Sequence, residues 1–186
     1  MGNEEQIKTN EKQKAVKTRL ERIMDTTDVH YDDCERLYLE AFPADERRTA
    51  EEERRLTDTE PHFHPHAIIH DGHLCGLANT WHFAGVRYIE HLAIMPRDRA
   101  HGIASDVLTI LKGQGDPIIL EVEPPETEVA RRRIAFYEHN GFRLLRVDYE
   151  QPYEDAKGRK ENLKMDLMVW GEIPNLDEVI REIQNS

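Results

Sequence analysis

The stretch RAHGIA, residues 99–104, contains one fixed cation, Arg99, and small residues that include Gly102 and Ala104. It lies where an apolar, strand-like run ends and a helical apolar pattern begins. The first turn of a helix carries backbone N–H groups without intrahelical partners, and with the helix dipole they attract anions. Gly102 and Ala104 would let a phosphate reach these groups, and Arg99 adds positive charge. The stretch predicts a diphosphate cradle, although a plain turn that starts a helix explains the same residues.

The run HFHPHAIIH, residues 62–70, raises the question of a metal site. His62, His64 and His66 alternate, so on an extended chain they would share one face. A structural zinc site usually needs four well-placed ligands, and Pro65 is expected to break regular strand pairing here. We therefore predict no metal and interpret the run as a solvated entry to a strand.

The elements that must position the cradle follow from periodicity and turn signals. The predicted order is strand, two helices, three strands, helix, strand, helix and two strands, followed by a terminal helix. Strand Val86–Ile94, the helix that begins after Gly102 and strand Ile118–Val122 form a candidate right-handed crossover with parallel strands. The fold class is therefore α/β with a mixed sheet. The second helix is predicted over residues 44–56, and the last two strands over residues 142–149 and 163–170.

Three segments are expected: a flexible N-terminal arm (1–17), one domain (18–170) and a C-terminal helix packed on or extending from it (171–186).

The formal net charge of −12 opposes non-specific binding to nucleic acid or to a membrane surface. No apolar run approaches the roughly 18 residues of a membrane span, and no secretory signal is visible. Two cysteines, Cys34 and Cys75, do not make a disulfide framework. The expected location is the cytoplasm.

Four motifs together resemble the GCN5-related N-acetyltransferase (GNAT) superfamily, as in a bacterial-type member. Residues 99–104 match its [RQ]-x-x-G-x-[GA] pattern, and YIEHLAIMP (88–96) looks like the strand that leads into that loop. ILEVEPP (119–125) resembles the family's fifth strand, and FYEHNGF (136–142) resembles its late helix. The resemblance covers about residues 18–170. It implies a mostly antiparallel central sheet with one splayed parallel pair, flanked by helices.

The resemblance also implies acetyl-coenzyme A as the cosubstrate. The cradle would then hold the pyrophosphate through residues Arg99, His101, Gly102, Ile103, Ala104 and Ser105. Main-chain groups of Leu92, Ala93 and Ile94 would pair with the pantetheine arm as an added strand does. The splayed strands would flank the thioester between them.

Acetyl transfer to an amine needs a neutral amine and a proton for the departing thiolate. Glu90 is the first candidate for the general base, because it lies among Tyr88, Leu92 and Ile94 on an apolar alternating face. The alternative is that strand distortion turns Glu90 to solvent or to a nearby arginine. His91 on the opposite face is a second candidate. Glu123, at the end of the fifth strand, is a third, either as base or in recognition of the amine.

Tyr137 is the candidate general acid, because its place in FYEHNGF matches the family's tyrosine that reaches the coenzyme A sulfur. A core tyrosine whose hydroxyl bonds a backbone carbonyl would look the same. In the loop after the sixth predicted strand, Tyr149, Gln151 and Tyr153 are candidates to line an acceptor pocket. The alternative is an ordinary loop with a proline turn.

The acceptor is expected to be an amine of a small molecule or of a protein, and the sequence does not choose between them. Direct attack in a ternary complex is favoured, because no cysteine occupies a recognised nucleophile position. Three alternatives stay open: another acyl donor, a catalytically degenerate acyl-coenzyme A sensor, and a scaffold. A homodimer is common among such folds, but no interface can be read from the sequence.

Overall fold

A computed structural model describes residues 17–44, 47–145, 147, 149–154 and 160–186, and for residues 153, 154, 160 and 161 the backbone alone. The predicted N-terminal arm lies outside the described residues except for Lys17. In the described part, seven strands form the main sheet, in the order β1-β2-β3-β4-β5-β9-β6. These strands are β1 (Thr18–Arg22), β2 (Phe63–His70), β3 (His73–Phe83), β4 (Val86–Ile94), β5 (Ile118–Val122), β6 (Arg143–Leu145) and β9 (Asp166–Trp170).

Helices cover both faces of this sheet. The described helices are α1 (Tyr31–Ala41), α2 (Ala50–Thr59), α3 (Ile103–Lys112), α4 (Glu128–His139) and α5 (Leu176–Asn185). The back face packs against α3 and α4 through one apolar cluster. The front face packs against α1, α2 and α5 through two others, and α5 buries Val179 and Ile183 there. The α/β class, the mixed sheet and the flanking helices are as predicted.

Strands β4 and β5 pair in parallel over three residues only, where Arg87, Tyr88 and Ile89 face Ile118, Ile119 and Leu120. Beyond Ile89 and Leu120 the two strands are no longer paired. We call this point of separation the fork. The predicted parallel pair is confirmed, and the short register is what a splayed pair requires.

A β-bulge in β4 lies at the fork. The register with β3 shifts so that Asn79 faces His91 while Thr80 faces Ile89, which leaves Glu90 as the extra residue. The bulge reverses the alternation: Tyr88 packs on the front face, whereas Leu92 and Ile94 pack on the back. The prediction that Glu90 shares one face with these three residues is therefore wrong, because a bulge moves every later side chain to the other face.

Two further boundaries differ from the predictions. The second helix starts at Ala50 rather than at residue 44, because Thr49 and Glu52 form a capping box. Where the sequence predicted two last strands, the structure has four. Strands β7 (Glu150–Glu154) and β8 (Lys160–Lys164) form a separate two-stranded sheet between β6 and β9.

Candidate functional site

The predicted cradle is the junction between β4 and α3. Gly102 is the N-cap of α3 with φ of 78°, and no side chain caps the helix. The first N–H groups of α3 therefore have no partner from a capping side chain. A Cβ built on Gly102 meets nothing within 4 Å, so it would point into open space. Glycine is required here by its backbone conformation, and its lack of a side chain keeps the helix start accessible.

A cavity of about 270 Å³ lies directly against this helix start. Its lining residues are Ile94, Asp98, Arg99, Ala100, Gly102, Ile103, Ala104, Ser105 and Phe136. The Nε of Arg99 donates to the Ile94 carbonyl at 3.0 Å, which ties the cradle to the end of β4. The His101 ring lies against the Asp98 carbonyl, with Nδ1 at 3.1 Å. The predicted loop residues are thus brought together around one cavity.

The open edge of β4 continues the cradle toward the fork. The Met95 N–H donates to the Cys75 carbonyl at 2.8 Å, so Met95 faces β3. Main-chain groups alternate along a strand, so Ala93 also faces β3, and Leu92 and Ile94 face the side that β5 leaves open. Of the three predicted residues, Leu92 and Ile94 offer main-chain groups to a ligand there, and Ala93 does not.

Glu90 lies at the fork but is fully engaged. Its Oε1 pairs with Arg48 at 2.7 Å, and its Oε2 accepts from Trp81 Nε1 at 2.8 Å. Burial alone would raise the pKa of Glu90, but the charge of Arg48 and the hydrogen bonds hold it below its usual value. The carboxylate therefore stays ionised and is a weak proton acceptor. This is the arginine-paired alternative stated above for Glu90.

Arg48 is the centre of a buried charge network on the front face. Its guanidinium lies over the Trp81 ring, 5.5 Å from the centroid, and 3.8 Å from a Glu53 oxygen. Glu53 accepts from Asn79 Nδ2 at 2.7 Å. Burial, followed by the nearby charge of Glu90, raises the pKa of Glu53 to about 8. One arginine thus favours the charged form of Glu90, while burial favours the protonated form of Glu53.

Replacing Arg48 by methionine is expected to destabilise the fold by about 3–5 kcal/mol, because it leaves Glu90 as a buried unpaired charge. The loss should shrink toward acid pH. Without Arg48 the folded-state pKa of Glu90 rises, and the variant regains stability once that group is protonated. Urea unfolding of both proteins at several pH values measures this difference. The control R132M removes an exposed pair with Glu128 and should cost less than about 0.5 kcal/mol.

A carboxylate that the sequence reasoning missed lies opposite Glu90. Glu121 on β5 accepts from the Tyr88 hydroxyl at 2.6 Å and from the Tyr149 hydroxyl, which also contacts the Gln151 amide. Burial raises the pKa of Glu121 in spite of these hydrogen bonds. The signal was present in the sequence, since Glu121 is the single charge within the apolar run IILEV. Like Glu90, Glu121 is a carboxylate on an apolar strand, which is costly to bury without a partner or a role.

The other predicted proton carriers lie in different surroundings. Glu123 is about half exposed and pairs with Arg133 at 3.3 Å. His91 is buried against the rings of Tyr38 and Phe42. Neither residue joins Glu121 and its two tyrosines.

Tyr137 lies on α4 at the cradle side of the molecule. Its ring packs at 5.2 Å from Phe136, which lines the cradle cavity, and at 5.6 Å from Phe142. Burial raises the pKa of Tyr137 to about 12, so the hydroxyl keeps its proton. No described residue forms a hydrogen bond with this hydroxyl. Within the described residues, the Tyr137 hydroxyl is therefore a proton donor that has no hydrogen-bond partner.

The histidine run differs from its predicted solvated state. Pro65 lies within β2 opposite Asn79 of β3, and its carbonyl accepts from the Ile23 N–H at 2.9 Å. His66 is buried, and burial lowers its pKa to about 4. His64 stacks on His82 with ring centroids 4.2 Å apart. Among the described residues, no three His, Cys, Asp or Glu side chains are grouped as metal ligands.

Comparison with known proteins identifies the family. Residues 31–142 match the model of the acetyltransferase (GNAT) family. A solved structure from Bacteroides thetaiotaomicron, assigned to GNAT-family acetyltransferases, is 36% identical, with a TM-score of 0.83. The match covers 90% of this chain and 96% of that one. The protein belongs to the GNAT acetyltransferase family and is an acyltransferase.

More distant structures share the fold. A GNAT acetyltransferase from Elizabethkingia anophelis, solved with acetyl-CoA bound, is 16% identical with a TM-score of 0.56, over 84% of this chain and 99% of that one. Arabidopsis thaliana NAA60 in complex with acetyl-CoA is 15% identical with a TM-score of 0.58, over 83% and 99%. No curated protein sequence matches the chain. In the described residues, no helix is long and apolar enough to cross a membrane.

The family confirms acetyl-coenzyme A as the cosubstrate that the motifs implied. The residues present fit it. A diphosphate suits an uncapped helix start with an open Gly102, and an extended amide arm suits the free edge of β4. The cavity connects these two features through Ile94 and Arg99.

Proposed function

We propose that the protein transfers an acetyl group from acetyl-coenzyme A to an amine by direct attack in a ternary complex. The observation that carries this proposal is the continuity of three features. The uncapped start of α3, the open edge of β4 and the fork with its carboxylates follow one another along a single strand and loop. Such an arrangement brings a donor thioester and an acceptor to one point, where orientation supplies much of the rate.

The donor would be held by residues with separate roles. N–H groups of Gly102, Ile103, Ala104 and Ser105 would receive the pyrophosphate, with Arg99 beside them. Leu92 and Ile94 would pair with the amide arm. Acetyl-coenzyme A supplies an activated acyl group with a thiolate leaving group. Tyr137, protonated and without a described partner, would donate its proton to that thiolate.

Direct attack is supported by the state of both cysteines. Cys34 is buried, and burial raises its thiol pKa to about 12. Cys75 is buried with a pKa of about 11, and its Sγ donates to the Ile68 carbonyl. A thiol must ionise to act as a nucleophile, so neither residue is suited to carry an acetyl group.

Initial-rate kinetics test the proposal. Thiol release from acetyl-coenzyme A would be followed with benzylamine, spermidine, a lysine-containing peptide and a peptide with a free N-terminus. Double-reciprocal plots that intersect are expected for a ternary complex, whereas parallel lines would indicate an acetyl-enzyme. Binding of acetyl-coenzyme A without turnover of any amine would favour the sensor or scaffold. Faster turnover of succinyl-coenzyme A would favour another acyl donor.

A further inference from the structure

We propose that Glu121 is the group that takes the proton from the acceptor, and that the acceptor is a basic amine which enters as an ammonium ion. This inference rests on the proposed function and adds the identity of the proton acceptor and the chemical class of the substrate. It concerns a residue other than Glu90, His91 and Glu123, which the sequence suggested.

Glu121 lies at the point where β4 and β5 separate. Glu121 is the first residue of β5 beyond the last pair with β4, just as Glu90 is the first residue of β4 beyond it. Both side chains belong to the front face, where Tyr88 bonds Glu121 and Trp81 bonds Glu90. Glu121 is partly exposed, unlike the apolar residues on either side of it. It is therefore a partly exposed acidic residue at the point where the strands separate.

The two carboxylates at the fork, Glu90 and Glu121, differ in their charge partners. Glu90 is neutralised by Arg48 at 2.7 Å. The partners of Glu121 among the described residues are two tyrosine hydroxyls, and no Lys or Arg in that part of the chain forms an ion pair with it. Among the described residues, Glu121 is thus the carboxylate at the fork without a counter-cation. An ammonium group supplies that cation, and the sequence charge of −12 favours its approach.

Two tyrosine hydroxyls fix the orientation of the Glu121 carboxylate. Tyr88 belongs to β4, and Tyr149 belongs to the segment that enters β7, so the carboxylate is held from two sides. Each Tyr hydroxyl occupies a different carboxylate oxygen. Each oxygen keeps a lone pair for a third donor. Gln151 contacts the Tyr149 hydroxyl and extends the polar surroundings of Glu121 into β7.

The step balances as a proton transfer followed by acyl transfer. An N–H bond of the ammonium breaks and its proton moves to a Glu121 oxygen, which leaves the nitrogen lone pair free. That pair attacks the thioester carbon, the C–N bond forms and the C–S bond breaks. The thiolate takes the Tyr137 proton. The acylated nitrogen then releases its excess proton, which restores the Tyr137 hydroxyl through solvent. Glu121 returns its proton to solvent, so the net products are the amide, the coenzyme A thiol and one proton. Burial raises the pKa of Glu121, which makes it a stronger base than a freely exposed carboxylate.

The experiment compares E121Q with E182Q, the same change at an exposed glutamate of α5. Both variants keep the shape of the side chain. We expect kcat of E121Q to fall about 100-fold or more, with acetyl-coenzyme A affinity by calorimetry unchanged. E182Q should stay within about twofold of the wild type, because Glu182 is exposed and lies outside this cluster. The acceptor is whichever of the four amines named above the wild type acetylates fastest.

The pH profile separates proton transfer from mere support of the fold. The wild type needs Glu121 ionised and the amine protonated, so kcat/KM should be bell-shaped and fall above the pKa of the amine. E121Q depends on free amine and should instead rise and reach a plateau there. E121Q with near-wild-type kcat, or with a retained alkaline fall, would overturn the inference. The inference would also be overturned if E90Q, and not E121Q, showed both the loss of kcat and the altered pH profile. If the wild type acetylates no amine, the proposed function fails and this inference fails with it.

Discussion

Gly102→Glu is expected to weaken acetyl-coenzyme A binding about 100-fold or more without unfolding the protein. The new side chain would enter the open space above the start of α3, where we propose that the diphosphate binds. Its carboxylate would repel the phosphates and occupy the position that the N–H groups should offer to them. Isothermal titration of acetyl-coenzyme A into both proteins measures the difference in Kd.

The matched control is Gly85→Glu. Gly85 also has positive φ, 71°, and a Cβ built there also meets nothing within 4 Å, but it lies in the turn between β3 and β4. The two variants share the backbone strain of a side chain at positive φ. They differ in their distance from the cradle. If G85E lost binding as much as G102E does, strain rather than the cradle would explain the loss.

Tyr137→Phe is expected to lower kcat about 100-fold or more and to leave the Kd of acetyl-coenzyme A unchanged. The ring would still pack between Phe136 and Phe142, so the removed atom is the hydroxyl alone. The departing thiolate would then leave without a proton donor. Single-turnover kinetics of the variant measure the chemical step directly.

Tyr31→Phe is the control for that change. Its hydroxyl bonds Glu35 on α1, on the front face of the sheet, and the variant should keep its kcat. A wild-type kcat in Y137F would assign Tyr137 to the core. A loss of affinity with kcat preserved would assign it to donor binding.

The cradle could be predicted from the sequence because it is local. The small residues, the end of β4 and the start of α3 lie within about a dozen residues, and each follows from short-range rules for strands, glycine and helix starts. The parallel pair could be predicted as well, because a strand–helix–strand segment of this length has one common arrangement.

The charge network at the fork could not be predicted in the same way. Periodicity placed Glu90 correctly on β4, but a single bulge changed the face of every residue after it. Arg48 reaches Glu90 from the segment before α2, and Tyr149 reaches Glu121 from the segment before β7. Such partners depend on tertiary packing, which no local pattern records. The β7–β8 hairpin was missed because its strands are polar and pair outside the main sheet.

The measurement that tests the central claim most directly is thermal unfolding of the wild-type protein across increasing acetyl-coenzyme A. The account requires a donor site that exists in the folded protein and not in the unfolded chain. A ligand at 100 times its Kd stabilises the native state by about 2.7 kcal/mol, which is about 5–10 °C in Tm for a chain of this size. A rise of that order with increasing ligand is predicted. Cooperative unfolding at an unchanged Tm in millimolar acetyl-coenzyme A would contradict the account.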